Sequence, residues 1–355
     1  MSDDLFIRIN KKWVNLNEKL HNQLEISEIE GKEIRAKFSK VSIKIKRISP
    51  SIGLVLGWIM SDGSLPKNSN NVSISQKSKE VLLKLREIIN HEFGIKKKYL
   101  KLLKKKDETY VLSITVKSFR VFLVKVFGMK TGKNKKRNIP KIIWKLKKEI
   151  KIAFLAGFFE GDGNIYLISP KKARLMITCK FKTLAIDLEK LFEEIGIKNI
   201  KIVHNRTKNV YVLQTHNTNK IAQLISYIYP YLIHREKIKN IHNVVKCEGI
   251  YRKLRVSLFS SQKKQLIESA VIKVKGKNLT EKYKELAKNL SKELNFEVSP
   301  GTIRTSWKYT NYSLPLSSFL KLKEMSNEKN YTLPEWMINY INLRNRIKYS
   351  GEKNG

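Results

Sequence analysis

Two carboxylates stand where an acid is least expected. Asp62 closes the run Val55-Leu-Gly-Trp-Ile-Met-Ser-Asp-Gly63, and Asp162 closes Leu155-Ala-Gly-Phe-Phe-Glu-Gly-Asp-Gly163, 100 residues further along the chain. Each run reads as a helix that is apolar on nearly every face and belongs in an interior, where an ionised aspartate is rarely found without a partner or a metal. Small residues recur four apart, Gly57 with Ser61 and Gly157 with Gly161, so two such helices can approach closely along those faces. Packed side by side in the same direction, they bring Asp62 and Asp162 to one end. Two acids at close range repel unless a cation lies between them, and hard divalent ions with oxygen ligands fill that role. The plain alternative is that each aspartate ends its helix before a glycine in the left-handed C′ position.

Composition points to a polyanionic partner. The 355 residues hold 72 Lys plus Arg against 31 Asp plus Glu, a net charge of +41. A thermophile-like bias raises Glu along with Lys, and here Glu does not keep pace, so nucleic acid is the better explanation of the surplus. No stretch of eighteen apolar residues occurs and the first residues, Met-Ser-Asp-Asp, lack a basic n-region. These features predict a soluble cytoplasmic protein with no membrane partner. Cys179 and Cys247 are too few for a disulfide framework or a zinc site.

After each Asp-Gly the hydrophobic pattern changes from helical to alternating. In the first half the pattern predicts a strand at Val72–Ser75, a helix from Ser78 to Phe93, strands at Tyr99–Leu103 and Tyr110–Val116, and a helix from Phe119 to Phe127. In the second half it predicts strands at Asn164–Ile168 and Leu175–Cys179, a helix from Leu184 to Ile195, strands at Ile200–His204 and Tyr211–Gln214, and a helix from Ile221 to Tyr229. The expected fold is α+β, with two pseudo-symmetric αββαββα repeats followed by a mainly α-helical C-terminal module. The domain boundaries implied are an N-terminal arm over 1–48, repeats over 49–137 and 138–250, and the helical module over 251–355.

The order of elements, the paired Asp-Gly helices and the linking segment Asn138-Ile-Pro140 resemble the LAGLIDADG homing endonucleases in their single-chain, two-repeat form. The resemblance covers roughly residues 50 to 245. The second motif departs from the family name only at Phe158, Phe159 and Glu160, with Gly161 a tolerated change, and the first, more worn at Met60 and Ser61, keeps its aspartate. In that family the motif helices form the interface between the two halves, the terminal acids hold Mg²⁺ over the scissile phosphates, and two antiparallel sheets lie in the DNA major groove. The resemblance therefore implies a site-specific, divalent-metal-dependent double-strand DNA endonuclease, working as a monomer with Mg²⁺ or Mn²⁺ held by Asp62 and Asp162.

Phosphodiester hydrolysis needs a positioned water, a metal that acidifies it, and a cation near the transition state. The family carries a lysine at the strand-to-helix junction of its active site. That role passes by resemblance to Lys77 and Lys180, with Gln76 as a water-orienting partner. The polar sheet faces would read DNA, Lys and Arg on phosphates and Arg, Gln, Thr and Tyr on base edges. The candidates are Ser73, Ser75, Tyr166, Lys172, Arg174, Lys201, Arg206, Tyr211, Gln214 and His216.

The ends carry weaker signals. A helix is expected from Asn10 to Leu24 and a basic strand-like run at Val41–Arg47. Near the other end, Lys282–Leu294, a turn over Asn295–Pro300 and a short helix from Gly301 to Tyr309, capped by Ser299 with Pro300 at N1, read as a helix-turn-helix with Arg304 and Lys308 facing DNA. The echoes Asn311-Tyr-Ser-Leu-Pro315 and Asn330-Tyr-Thr-Leu-Pro334 each open a further helix. Such an appended module favours the competing function, a non-cleaving DNA-binding regulator or a splicing cofactor acting on intron RNA. A self-splicing element is disfavoured, because residue 1 is neither Cys nor Ser and no terminal His-Asn pair occurs.

Overall fold

The computed structural model describes residues 4–9, 11–16, 29–132, 138–258, 260–294, 296–308, 313–327 and 331–349. Two compact units are present, one comprising Met1–Ile165, Leu175–Thr215 and Tyr227–Asn240, the other Tyr166–Arg174, His216–Ser226 and Ile241–Gly355.

The first unit is organised by the two motif helices. The first spans Pro50–Ser61, with Pro50 pre-set for an initial turn and Ser49 as its cap. The Ser49 hydroxyl accepts from the Ile52 N–H at 3.3 Å and donates to Glu92 at 2.7 Å. Every residue from Ile52 to Met60 is buried. The second spans Lys148–Asp162 and buries every residue from Ile152 to Glu160. The helices run in the same direction and touch backbone to backbone. A methyl placed on Gly53 would meet the Ile150 carbonyl oxygen at 2.6 Å, one on Gly57 the Phe154 oxygen at 2.1 Å, and one on Gly157 the Leu54 oxygen at 2.1 Å. At the far end a methyl on Gly161 would meet the Ser61 hydroxyl at 2.2 Å. The small-residue faces read in the sequence are the contact.

Each motif helix runs into a four-stranded antiparallel sheet. The first sheet holds β5 (Gly63–Ser64), β6 (Val72–Gln76), β7 (Leu100–Lys104) and β8 (Tyr110–Ile114) in the order β5-β6-β8-β7; the second holds β9 (Gly163–Ser169), β10 (Lys172–Cys179), β11 (Lys201–Asn205) and β12 (Val210–Thr215) in the order β11-β12-β10-β9. Numbered within each repeat, both orders are 1-2-4-3, so the repeat is topological as well as sequential. Helices Lys79–Phe93 and Lys117–Lys125 complete the first copy; Lys182–Glu194 and Thr218–Ile228 complete the second. Ser78 caps the first of these through the Val81 N–H, and Gly94 at φ +61° ends it.

The N-terminal segment departs from the expected helix. Leu5–Ile9 (β1) and Lys12–Asn15 (β2) form an antiparallel hairpin, joined by Lys32–Ala36 (β3) and Ile43–Ile45 (β4) in the order β2-β1-β3-β4. Alternation decides the outcome. Leu5, Ile7, Ile34, Ala36, Ile43 and Ile45 are all buried, and a period of two places them on one face. Asn10 and residues 17–24 of the expected helix lie outside the described residues.

The second unit contains helices Ser260–Lys273, Leu279–Leu294, Leu316–Ser326 and Glu335–Tyr349, with Leu266, Ile267, Leu286, Leu290, Phe319 and Leu322 buried in its core. Ser299 does cap the next segment, accepting from the Thr302 N–H at 3.0 Å. That segment, Thr302–Trp307, is a π-helical turn rather than an α-helix, and it buries Ile303 and Trp307. Asn295 and Tyr309, at the ends of the expected helix-turn-helix, lie outside the described residues. Among the described residues no helix is long and apolar enough to cross a membrane.

The helix contact gives a direct test. Gly157→Ala places a methyl against a backbone oxygen that no rotamer change can move, and it should cost roughly 1–3 kcal/mol or more of stability by overpacking, read as a lowered urea midpoint. A midpoint equal to wild type would mean that the helices do not meet there.

Candidate active site

Both glycines that follow the motif aspartates are needed for space. Gly163 has φ −102° and Gly63 is likewise outside the left-handed region, so neither is a left-handed helix terminator. A methyl on Gly63 would lie 2.3 Å from the Ile59 carbonyl oxygen, and one on Gly163 would lie 2.3 Å from the Phe159 ring. The chain must turn from helix into strand hard against the last helical turn, and that turn holds each aspartate at the root of its sheet.

Asp62 is the cap of the first helix, its N–H donating to the Trp58 carbonyl at 3.0 Å. Its carboxylate accepts from Gln76 Nε2 at 3.0 Å, while Gln76 Oε1 accepts from the Lys77 N–H at 2.9 Å. Gln76 is thus fixed at both ends of its amide. A methyl on Gly161 would sit 3.0 Å from Asp62 Oδ2. The Asp62 carboxylate therefore lies against the backbone one residue before Asp162.

The cation at this place is Lys237, in the first turn of helix Arg235–Lys246. Its ammonium donates to the Gly163 carbonyl oxygen, lies 5.7 Å from the Phe159 ring, and interacts with the charges of Asp62, Glu160, Asp162 and Glu236. Burial lowers the Lys237 pKa, and these acids oppose the shift. Burial raises that of Asp62, opposed by the Gln76 hydrogen bond and by Lys237. Cys179 ends the strand beside them; burial, then the Asp162 charge, pushes its thiol up to about 12, so it stays protonated.

Glu160 explains how Lys237 comes to be there. It is fully buried, and its Oε1 accepts from the backbone N–H groups of Ile233 and His234 at 2.7 and 2.6 Å. Its Oε2 accepts from Trp58 Nε1 at 3.2 Å. One carboxyl group therefore joins the first motif helix, the second, and the segment leading into the Lys237 helix. Burial raises its pKa to about 7 against the pull of those three hydrogen bonds and of Lys237.

The structure gathers Asp62, Asp162 and Gln76. Lys77 is exposed and borders a surface pocket with Lys104, Asp107, Glu108 and Tyr110. Lys180 is also exposed, its ammonium 5.9 Å from the Phe181 ring. Lys237 lies outside the sequence-based expectation, since one lysine in so basic a chain carries no local signal. Glu160 also lies outside that expectation, although an acid inside an otherwise apolar run is the signal that marks it.

Of the residues expected on DNA, Ser73 and Ser75 alternate with buried Val72 and Ile74 and face away from the core. Gln214 pairs in register with Lys201 across β11 and β12 and is half-buried. Arg206 is exposed in the turn between those strands. Tyr211 instead shares the side of the strand that carries buried Leu213, pairs with Cys179, and stacks on His204 at 4.6 Å. In the second unit, Tyr166, Lys172 and Arg174 lie towards the tip of the β9–β10 hairpin, and His216 Nδ1 lies 3.2 Å from the Ala173 carbonyl oxygen. Arg304 is exposed. Lys308 is only 8% exposed, paired with Glu268 at 2.8 Å and 3.4 Å from the Tyr283 hydroxyl, so its charge is neutralised within the helical unit and the DNA contact expected of it is withdrawn.

Among the described residues no group of three or more His, Cys, Asp or Glu side chains is poised to hold a metal. The two aspartates nevertheless fit a hard divalent cation by their chemistry. Both offer carboxylate oxygens, and the half-buried Asp62 lacks enough positive charge around it to offset its desolvation.

Residues 49–126 and 149–229 match the LAGLIDADG-like domain, one copy in each repeat. A 200-residue stretch is 28% identical to part of an A-type ATP synthase subunit (Methanopyrus kandleri), covering 56% of this chain and 18% of that protein. The chain thus spans less than a fifth of that relative. Among solved structures, it is similar to the homing endonuclease I-DmoI in complex with DNA and Mn (20% identity, 53% of this chain and 99% of that one, TM-score 0.39). It is likewise similar to the homing endonuclease I-WcaI bound to its DNA recognition sequence (18% identity, 55% and 87%, TM-score 0.39).

The Glu160 clamp predicts a pH dependence. A carboxyl that titrates near 4.5 unfolded and about 7 folded binds its proton more tightly in the native state. Its contribution is full below pH 4.5 and is lost as pH rises to 7, by up to about 3 kcal/mol. Glu160→Gln keeps an oxygen acceptor but cannot titrate, so chemical denaturation across pH 4.5–7 should show a flatter slope for the variant than for wild type. Parallel slopes would place Glu160 in a solvated environment and contradict the burial.

Proposed function

We propose that the two LAGLIDADG-like domains of this chain form a site-specific double-strand DNA endonuclease that hydrolyses phosphodiester bonds with a divalent metal. The observation that carries this reading is the convergence of Asp62 and Asp162 at the joined ends of two helices in backbone contact, with Lys237 interacting with both charges. Asp62 and Asp162 would hold Mg²⁺ or Mn²⁺, which when bound acidifies a water and neutralises the leaving oxygen.

The chain's own groups do the positioning. Gln76, locked between Asp62 and the Lys77 N–H, directs its amide at the carboxylate and orients a water there. Lys237 supplies a positive charge against the Gly163 carbonyl, and Glu160 fixes it by holding the Ile233 and His234 backbone. Lys77 and Lys180, one at each strand-to-helix junction, reach from the exposed side for the phosphates flanking the cut. The open faces of the two sheets, with Ser73, Ser75, Lys201, Arg206 and Gln214, take the duplex. With a net charge of +41, most of the affinity comes from phosphate contacts and falls steeply with salt. The protein acts as a monomer, since one chain carries both halves of the site.

The experiment is to incubate the full chain with a random-site duplex library with and without Mg²⁺ and to sequence the ends produced. Metal-dependent ends at a common sequence are expected; binding without new ends would assign the chain to the non-cleaving regulators or splicing cofactors. On a site so found, Asp62→Asn or Asp162→Asn should reduce cleavage by about 10³ or more, roughly 4 kcal/mol, with duplex affinity nearly unchanged. Lys237→Met should slow cleavage at least tenfold without loss of affinity. A variant of either aspartate that still cuts at the wild-type rate would refute the two-carboxylate site.

A further inference from the structure

The N-terminal sheet precedes the first LAGLIDADG-like domain, and its outer face has a composition the nuclease reading leaves unused. Leu5 and Ile7 of β1 point into the core, so Phe6 and Arg8 point outward. Register places Arg8 opposite Trp13 and Phe6 opposite Arg35. The Arg35 guanidinium lies 4.3 Å from the centre of the Trp13 ring, and Arg8 is held by Glu33 at 3.0 Å.

The turn leaving β3 adds a second ring. The Ser39 N–H donates to the Ala36 carbonyl at 2.9 Å, closing a tight turn whose third residue is Phe38 at φ +59°. Gly or Asn is the usual occupant of that conformation, and a bulky side chain there is an outlier. Phe38 is 81% exposed, which removes packing as the reason for its presence. The ammonium groups of Lys37 and Lys117 lie 5.6 and 5.9 Å from its centre. Lys117 is held there by the Lys37 carbonyl at 2.9 Å, and Lys37 by Asp4 at 3.3 Å. Phe6, Trp13, Arg35, Lys37, Phe38 and Lys40 together border an open cavity of about 490 Å³.

An exposed aromatic ring ringed by cations suits a ligand that has both a π-face and a negative charge, and unpaired nucleotides have both. We propose that this face is a second nucleic-acid site, which takes a single strand by stacking a base on Phe38 against the Trp13–Arg35 wall while Arg35, Lys37, Lys40 and Lys117 receive the adjoining phosphates. The site is independent of the two aspartates and of whether the chain cleaves.

The test uses the full chain without divalent metal. Binding of fluorescent 15-nucleotide dT and rU strands, an abasic strand of equal length and a 15-base-pair duplex is followed by anisotropy. Phe38→Asn removes the ring while keeping a residue that tolerates the turn, and it changes no charge. Single-strand affinity should fall roughly five- to a hundredfold, as expected for one lost stacking contact, in the dT arm, the rU arm or both, according to the sugar preferred. Duplex affinity should stay within twofold, and wild type should bind the abasic strand several-fold more weakly than dT or rU. Unchanged affinity of Phe38→Asn for both single strands would overturn the proposal. So would wild-type affinity for the abasic strand equal to that for the based ones, which would show binding by phosphate charge alone.

Discussion

Nothing larger than a hydrogen fits between the two motif helices at Gly57 and Gly157, and the arrangement of the first unit follows from that. A side-chain methyl at either position would lie 2.1 Å from a carbonyl oxygen of the opposite helix. Because the small residues recur every four positions on both helices, the contact extends from Gly53 to Gly161 and the two ends come level. Level ends are what place Asp62 beside the backbone that carries Asp162. Each helix then leads directly into a sheet of the same 1-2-4-3 strand order.

Bringing acids together in a half-buried place has an electrostatic cost, and Lys237 offsets part of it. Lys237 interacts with Asp62, Glu160 and Asp162 at once, while burial pulls its own pKa down and pushes that of Asp62 up. Each group is less comfortable in its charged form than it would be in water, as expected of a site shaped for a further charged species. Glu160 does a different job. Fully buried and bound to Trp58, Ile233 and His234, it is a structural tie from which the Lys237 helix departs.

Most of the first unit was legible because its signals are local. The apolar runs, the strand alternation after each Asp-Gly, and the helical periodicity from Ser78 to Phe93 each require only a few neighbouring residues. The glycines after the aspartates were legible as a pattern but not as a mechanism. They serve close approach to the last helical turn, where the sequence admitted a left-handed terminator. Lys237 was invisible because its role depends on a fold-back from 75 residues beyond Asp162, and composition offers too many lysines to single one out. The hairpin at the N-terminus reads as helix in the sequence because Lys11, at φ +66°, makes a tight turn that no glycine or proline announces. Lys308 looks like a DNA contact through the helix-turn-helix pattern, and only the tertiary structure shows it spent on Glu268.

Whether Asp62 and Asp162 share one ion can be decided by loading the full chain with Fe²⁺ on duplex DNA, generating hydroxyl radicals at the bound metal, and mapping where the protein backbone is cut. A shared ion gives scission at both motif ends, around residues 62 and 162 and with similar yield. Scission near one aspartate only, or near neither, would contradict a shared site.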